Sequence, residues 1–332
     1  MKETLSAMLV IVIAGSLMLI IPSTILIAPV LISVFLLFVL GAQGWQGFLM
    51  TLAAGLIPFI ALGVGFNGLT MVLPILPITV VLYWIVRSGR GFPLALGALS
   101  LASILGISFM LYFTIYIISG SDLVWFTGEM AKTMQQGILA IGEGRGYELP
   151  PSQLQLIKEA ADSITPGFIQ DLLPGTGIAL GLTQGYLVLR FARRYLKKFT
   201  EFKEIQVPLI SRIRISPFLL LLFLVMAGFG MIIGENDQRI ASILFSTGSI
   251  MVSFLGAVGA MSLIWNFAEA GIRMRHPFNR ALFTLVTLYF FSGTWMIVLT
   301  IADSILDFRN TSGTSIYRWL RYKLFESKKE EN

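Results

Sequence analysis

The chain contains no cysteine, one histidine and few charges, and each scarcity removes a class of chemistry. Without cysteine there is no thiol nucleophile, no disulfide and no sulfur-bound metal. With His276 as the one histidine, a two-histidine metal site within a single chain is excluded. His276 lies in the basic stretch RMRHPFNR, and no serine stands out as its partner in a dyad. Intramembrane aspartyl chemistry needs two carboxylates converging from different helices. Asp303 and Asp307 instead sit four residues apart at one helix end, where Arg309 follows closely and an Asp–Arg polar anchor is expected. A phosphate loop is missing too, because the glycine-rich GEGRG at 142–146 has neither a preceding strand nor the Lys-Ser/Thr pair. No catalytic residue, no metal ligand set, no cofactor and no ATPase engine are therefore expected.

What the chain has in excess is apolar sequence. Hydrophobic residues make up 56% and charged ones 13%, against roughly 45–50% and 25% in soluble domains. Mean hydropathy is +0.82. The charges cluster, leaving long apolar runs, and a helix needs about 20 such residues to cross roughly 30 Å of hydrocarbon. The runs are continuous rather than alternating, which excludes a β-barrel. The expected fold is all-α, a polytopic transmembrane bundle of about eight or nine spans. The pI of 9.6 raises nucleic acid as a partner. The 24 Lys and Arg nevertheless gather mainly where apolar runs end, so the lipid bilayer is the expected partner and nucleic acid is not. The first residues, MKETLSAMLVIVIAGSLMLIIPS, lack a small-residue cleavage site and read as an uncleaved first span.

The amino-terminal membrane half, 1–118, reads as five spans. The apolar block 5–40 is broken at Pro22 and Ser23 into two of them. After the turn GAQGWQG a third covers 47–66, Asn67-Gly68 turns the chain, and a fourth covers 69–86 with Pro74 and Pro77 bending it. The fifth runs over 94–118. Residues 119–165 form a polar insertion with six acids against Lys132, Arg145 and Lys158. Within it Met130, Met134, Ile138 and Ile141 make one apolar helical stripe, and Leu154, Ile157, Ala161 and Ile164 another. A hairpin lying on the bilayer and a lid over a substrate cavity are the two readings.

The carboxy-terminal half, 166–310, opens on the sixth span, 166–198. Gly177, Gly181 and Gly185 share one face, a spacing that lets another helix backbone approach closely in lipid. Arg190, Arg193, Arg194, Lys197 and Lys198 end that span as topology-setting, lipid-facing basic residues. The seventh span is 217–234, the eighth about 240–267 with Gly256 and Ala260 as a second small-residue pair, and the ninth 280–302. A polar, basic tail covers 311–332. Residues 190–216 hold eight Lys/Arg and two Glu, which places that loop inside, the acidic insertion outside and the amino terminus in the cytoplasm. A ninth crossing then strands the basic tail outside, so either late charges are overruled, the last apolar segment is re-entrant, or the count is off by one. Glu269 and Arg273, four apart, are expected to pair. Asn266 and Asp171 are polar groups within or near apolar spans.

Four stretches in order carry a family resemblance: the Pro-Gly-started span leading to LRFARRYLKK, then IQVPLISRIRISPFLLL, the long eighth span with its basic linker, and the closing IADSILDFRN. With Asp303, Asp307, Phe308 and Arg309 in that last motif, the chain resembles the YybS-like family of predicted bacterial membrane proteins, a domain family of unknown function. The first half fits by span pattern, with Arg87 and Gly89 after the fourth span. The resemblance implies a multi-pass protein of the bacterial inner membrane. It also implies a distant similarity of the amino-terminal half to substrate-binding components of energy-coupling-factor transporters, hence small-molecule capture with a separate energising partner. Those components dock through an Ala-xxx-Ala face on their first helix, whereas the corresponding pair here is Ala98 and Ala102 on the fifth span. Small-molecule binding or transport is the leading expectation. The alternative is a non-transporting scaffold that recruits cytoplasmic partners or lipids through its basic loop and tail.

Overall fold

A computed structural model describes residues 2–20, 24, 27–61, 65–143, 150–196, 205–234, 237–290 and 292–309. Pro22, Ser23, Lys197, Lys198 and the tail 311–332 lie outside the described residues. The described residues are mostly helical and without strands: α1 (Lys2–Ile20), α2 (Ala28–Ala61), α3 (Gly65–Ser88), α4 (Phe92–Tyr112), α5 (Leu123–Glu143), α6 (Pro151–Asp162), α7 (Pro166–Leu196), α8 (Pro217–Ile233), α9 (Gln238–Asn266), α10 (Pro277–Phe290) and α11 (Thr294–Leu306). π-Helical turns extend α4 over Phe113–Ile118 and α9 over Phe267–Gly271.

The expected count of eight or nine spans is not supported. Among the described residues, four helices are long and apolar enough to cross a membrane: Ala28–Pro58, Phe92–Ile118, Pro166–Arg194 and Gln238–Ala270. A fifth is reached if Pro277–Phe290 and Thr294–Leu306, bent by 116°, form one broken span. The apolar helices Thr4–Leu17, Leu73–Ser88 and Pro217–Ile233 are shorter than those spans among the described residues, and the local structure departs from the expected spans at several points. The second and third expected spans are two helices that meet at a kink within α2, where the expected GAQGWQG turn reduces to one non-helical residue, Gly44, at φ 65° and ψ −166°. That conformation carries no penalty only without a Cβ. The expected turn at Asn67-Gly68 is helical, inside α3. And α8 has 17 residues, about 26 Å at roughly 1.5 Å per residue, short of a full crossing. The expected ninth span, for which a re-entrant segment is the alternative, is two helices with Gly293 at φ 72° before the second.

The chain divides into two compact units, Met1–Val207 and Pro208–Asn332. α7 lies in the first of these units. There, one apolar cluster joins α2, α3, α4 and α7 through Val34, Leu37, Ile78, Leu82, Leu99, Val188 and Leu189. A second joins α1, α2 and α3 through Ile11, Ile32, Leu36, Phe48 and Ile75. Gly181 brings α7 against α4: a Cβ there would meet the Ser100 carbonyl oxygen at 2.8 Å and Ile104 Cγ1 at 2.7 Å. Gly185 faces the same helix, with Ser100 Oγ at 3.0 Å from a Cβ built on it. Gly177 faces open space, so the third member of the expected ribbon takes no part in that contact.

The second unit is built on α9. Asp237 caps its start, Oδ1 accepting from Arg239 N and Ile240 N, both at 3.1 Å. Gly248 brings α9 against α8: a Cβ there would meet the Phe223 carbonyl oxygen and Ala227 N at 2.7 Å. On another face, Gly256 lies against Ile297 of α11, and Thr300 Oγ1 donates to the Gly256 carbonyl at 2.7 Å. Ala260 is fully buried.

Candidate functional site

Two places in the first unit and one in the second gather polar chemistry. The first is a cleft of about 440 Å³ between the π-helical end of α4 and the exposed stripe of α5. α5 has two working faces. Thr127 and Ala131 are buried, and Ala131 packs with Ile164, Ile169 and Ile138. Gln170 Nε2 donates to Thr127 Oγ1 at 3.1 Å, and Gln135 Nε2 to the Ile164 carbonyl at 2.8 Å. These contacts hold α5 against α6 and α7. The neighbouring stripe, turned by roughly one residue in each turn, is left for the cleft, which is lined by Trp125, Phe126, Glu129, Met130, Thr133 and Met134.

Opposite them stand Thr114, Ile115 and Ser119 from the π-helical turn. A π-turn widens the helix and frees carbonyls from the regular ladder. Ser119 Oγ donates back to the Ile115 carbonyl, and Ser119 N to that of Thr114 at 3.0 Å. Glu129 is the acidic side chain of the lining among the described residues; Lys132 Nζ stands 2.7 Å from its Oε1, at the half-exposed rim. The cleft thus offers aromatic and thioether surface with a few polar groups. Of the stripes read from the sequence, Met130 and Met134 line the cleft while Ile138 turns inward, and Ala161 and Ile164 are buried while Leu154 is exposed.

The second place is a cleft of about 420 Å³ at the end of α7, lined among the described residues by Arg190, Phe191, Arg193 and Arg194. Arg193 Nη1 donates to the Val207 carbonyl at 2.9 Å.

In the second unit, Arg309 is a nearly fully buried cation. Its Nε donates to Asp303 Oδ2 at 2.9 Å, and Nη2 bonds the same oxygen. Nη1 donates to Ser262 Oγ at 2.6 Å, to the Ile213 carbonyl at 2.9 Å and to that of Ser211 at 3.1 Å. Ser262 Oγ in turn donates to the carbonyls of Ile210 and Ile213. Asp307, in the left-handed region at φ 48°, ends α11 and stands 3.5 Å from Arg214. Asp303 Oδ1 is buried without a hydrogen-bond partner among the described residues. This network ties the segment 208–216 to α9 and α11. Phe308 stays exposed. A buried pair of this kind secures geometry more than it adds net stability.

Other residues singled out in the sequence fall elsewhere. Glu269 does not pair with Arg273, whose φ of 57° takes it off the helix; it pairs with Arg280 at 3.1 Å. Asn266 Nδ2 reaches the Ser211 carbonyl only at 3.4 Å. His276 is exposed, and no group of three metal-ligating side chains exists among the described residues. Sequence reasoning missed Ser262, Arg214 and the cleft residues on the π-turn. A serine deep in an apolar helix was the available signal for the first.

The arrangement, an all-helical chain with several membrane-length helices, agrees with a family model described as "Predicted membrane protein (DUF2232)", which matches residues 5–304. The chain belongs to that family. The match spans both units of the DUF2232 chain, from α1 to Ser304, and so takes in the cleft on α5, the arginines of α7 and Asp303, while Asp307 and Arg309 follow its end. No curated protein and no solved structure matches the chain.

Proposed function

We propose that this membrane protein binds a small amphipathic molecule in the cleft between the end of α4 and α5. The carrying observation is the cleft itself. Its volume of about 440 Å³ falls within the roughly 300–1,000 Å³ of small-molecule sites. Its lining pairs Trp125, Phe126, Met130 and Met134 with Thr114, Ser119, Thr133 and Glu129. Methionines adapt to irregular apolar shapes, and a few fixed polar groups orient what they hold. The charge pattern supports a bacterial inner-membrane setting with the amino terminus in the cytoplasm and the α5–α6 insertion, with its cleft, outside. The resemblance to YybS-like proteins and to energy-coupling-factor substrate components supports capture for a separate energising partner, since no phosphate loop stands in the sequence.

The protein purified in mild detergent and analysed by mass spectrometry is expected to carry a co-purifying small molecule. Met134→Trp, which fills the cleft with bulk, is expected to lose it while melting normally. Equal recovery of that molecule from wild type and Met134→Trp, or none from either, rejects the site. The second reading, a scaffold recruiting partners or lipids, is favoured by the arginines that line the cleft on α7. It requires capture of a defined partner that is lost when Arg190, Arg193 and Arg194 become Gln.

A further inference from the structure

We propose that the cleft at the end of α7 is a binding site for a phosphate-bearing anion, held by Arg190, Arg193 and Arg194. These three positions are i, i+3 and i+4, so their side chains leave one face of the helix together. They line a cavity of about 420 Å³ rather than a flat surface. A membrane-length helix, Pro166–Arg194, ends on them, at the depth where headgroups begin.

The bland account is that cations at a helix carboxy terminus answer its dipole. That account covers only part of the charge. The terminus is equivalent to about half a negative elementary charge, whereas the guanidinium groups of Arg190 and Arg194 alone bring two positive ones. Neither Arg190 nor Arg194 meets a carboxylate among the described residues. One guanidinium is already placed: Arg193 Nη1 is held by the Val207 carbonyl at 2.9 Å, which sets where that side chain stands. The planar fork of arginine suits two phosphate oxygens at once, a geometry lysine does not supply. Phe191 gives the cleft an apolar wall, against which the carbon frame attached to a phosphate can lie. Phosphate chemistry of this kind comes from two sources, a phospholipid headgroup or a soluble phosphate compound.

The experiment uses the full chain reconstituted in mixed phosphatidylcholine and phosphatidylglycerol vesicles. Native mass spectrometry after extraction counts the phosphatidylglycerol retained, and a titration with inorganic phosphate is followed by calorimetry. Wild type and Arg190→Gln/Arg194→Gln are compared, with Arg194→Gln alone as a variant at an exposed position that leaves the fold intact. Retention of phosphatidylglycerol that falls roughly tenfold in the double variant, the scale of one charge-assisted contact, supports a headgroup site. Phosphate binding that falls by a similar factor supports a soluble phosphate site. Arg190→Lys/Arg194→Lys is expected to recover part of either signal, because charge returns without the fork. Equal retention and equal phosphate binding in wild type and both Gln variants, or no binding in any of them, overturns the proposal.

Discussion

The two units stabilise their interiors by different means. In the first, the buried polar side chains among the described residues are neutral: Ser33, Thr51, Thr79, Ser100, Ser103, Thr127 and Gln184. Several hydroxyls satisfy themselves within their own helix, as Thr79 Oγ1 does on the Ile75 carbonyl at 2.9 Å. Its interior is otherwise branched and aromatic bulk, with Leu82, Ile85, Leu99 and Leu189 almost wholly enclosed. The second unit buries Asp303 and Asp307 and seats Arg309 among backbone carbonyls. It also packs α8 and α11 onto α9 through Gly248, Gly256 and Gly259. In lipid, apolar burial distinguishes poorly between partners, because acyl chains are as apolar as leucine. Close backbone approach and a directional polar network do distinguish. The contrast teaches that a short helical unit can be held by geometry where it lacks the bulk to be held by packing.

The contrast can be broken most forcefully at Arg309. Arg309→Met leaves the Asp303 carboxylate buried without its cation, and is expected to cost about 3–5 kcal/mol. Thermal unfolding in detergent reads the loss. Single-cysteine reporters, interpretable because the native chain has no cysteine, should expose Leu255 while leaving Leu37 protected. The double variant Asp303→Leu/Arg309→Met is expected to regain much of that loss, since an apolar pair often replaces a buried ion pair at little cost. Leu82→Ala in the first unit should produce the reverse reporter pattern, with a loss of about 2–5 kcal/mol from the cavity it leaves.

A smaller effect tests the α4–α7 contact. Gly181→Leu is expected to destabilise by about 1–3 kcal/mol through overpacking against Ser100 and Ile104. Gly177→Leu, one turn away on open space, should stay within about 0.5 kcal/mol of wild type. Equal melting temperatures for the two glycine variants would show that spacing alone, and not the facing helix, sets the cost.

Much of this was legible in the residues. Continuous apolar runs set the all-helical membrane class, and the polar stretch 119–165 carried the apolar stripes of its amphipathic helices. Gly181 and Gly185 stood out by spacing, but so did Gly177, because periodicity identifies a face without naming what lies opposite it. The span count went astray for a related reason. Turn residues such as Asn67-Gly68 mark where a chain is able to turn, and neighbouring helices decide whether it does. The cleft on α5 was half visible: Met130 and Met134 were on a stripe, while Thr114 and Ser119 come from another helix through a π-turn that no local pattern signals.

The ion network divides the same way. Asp303, Asp307 and Arg309 fall within seven residues of chain that any reader would mark as charged and close. Their burial depends on Ser262 and on the carbonyls of Ser211 and Ile213, which arrive from 47 to 98 residues away. The sequence by itself determined the solvent, because transfer of so much apolar surface and so few charges has one favourable outcome. It also determined where charge gathers, because charges end spans. Only the tertiary structure decided which glycine meets a backbone, which arginine is enclosed and where a cleft opens. Those are properties of pairs of surfaces, and each surface is encoded far from the one it meets.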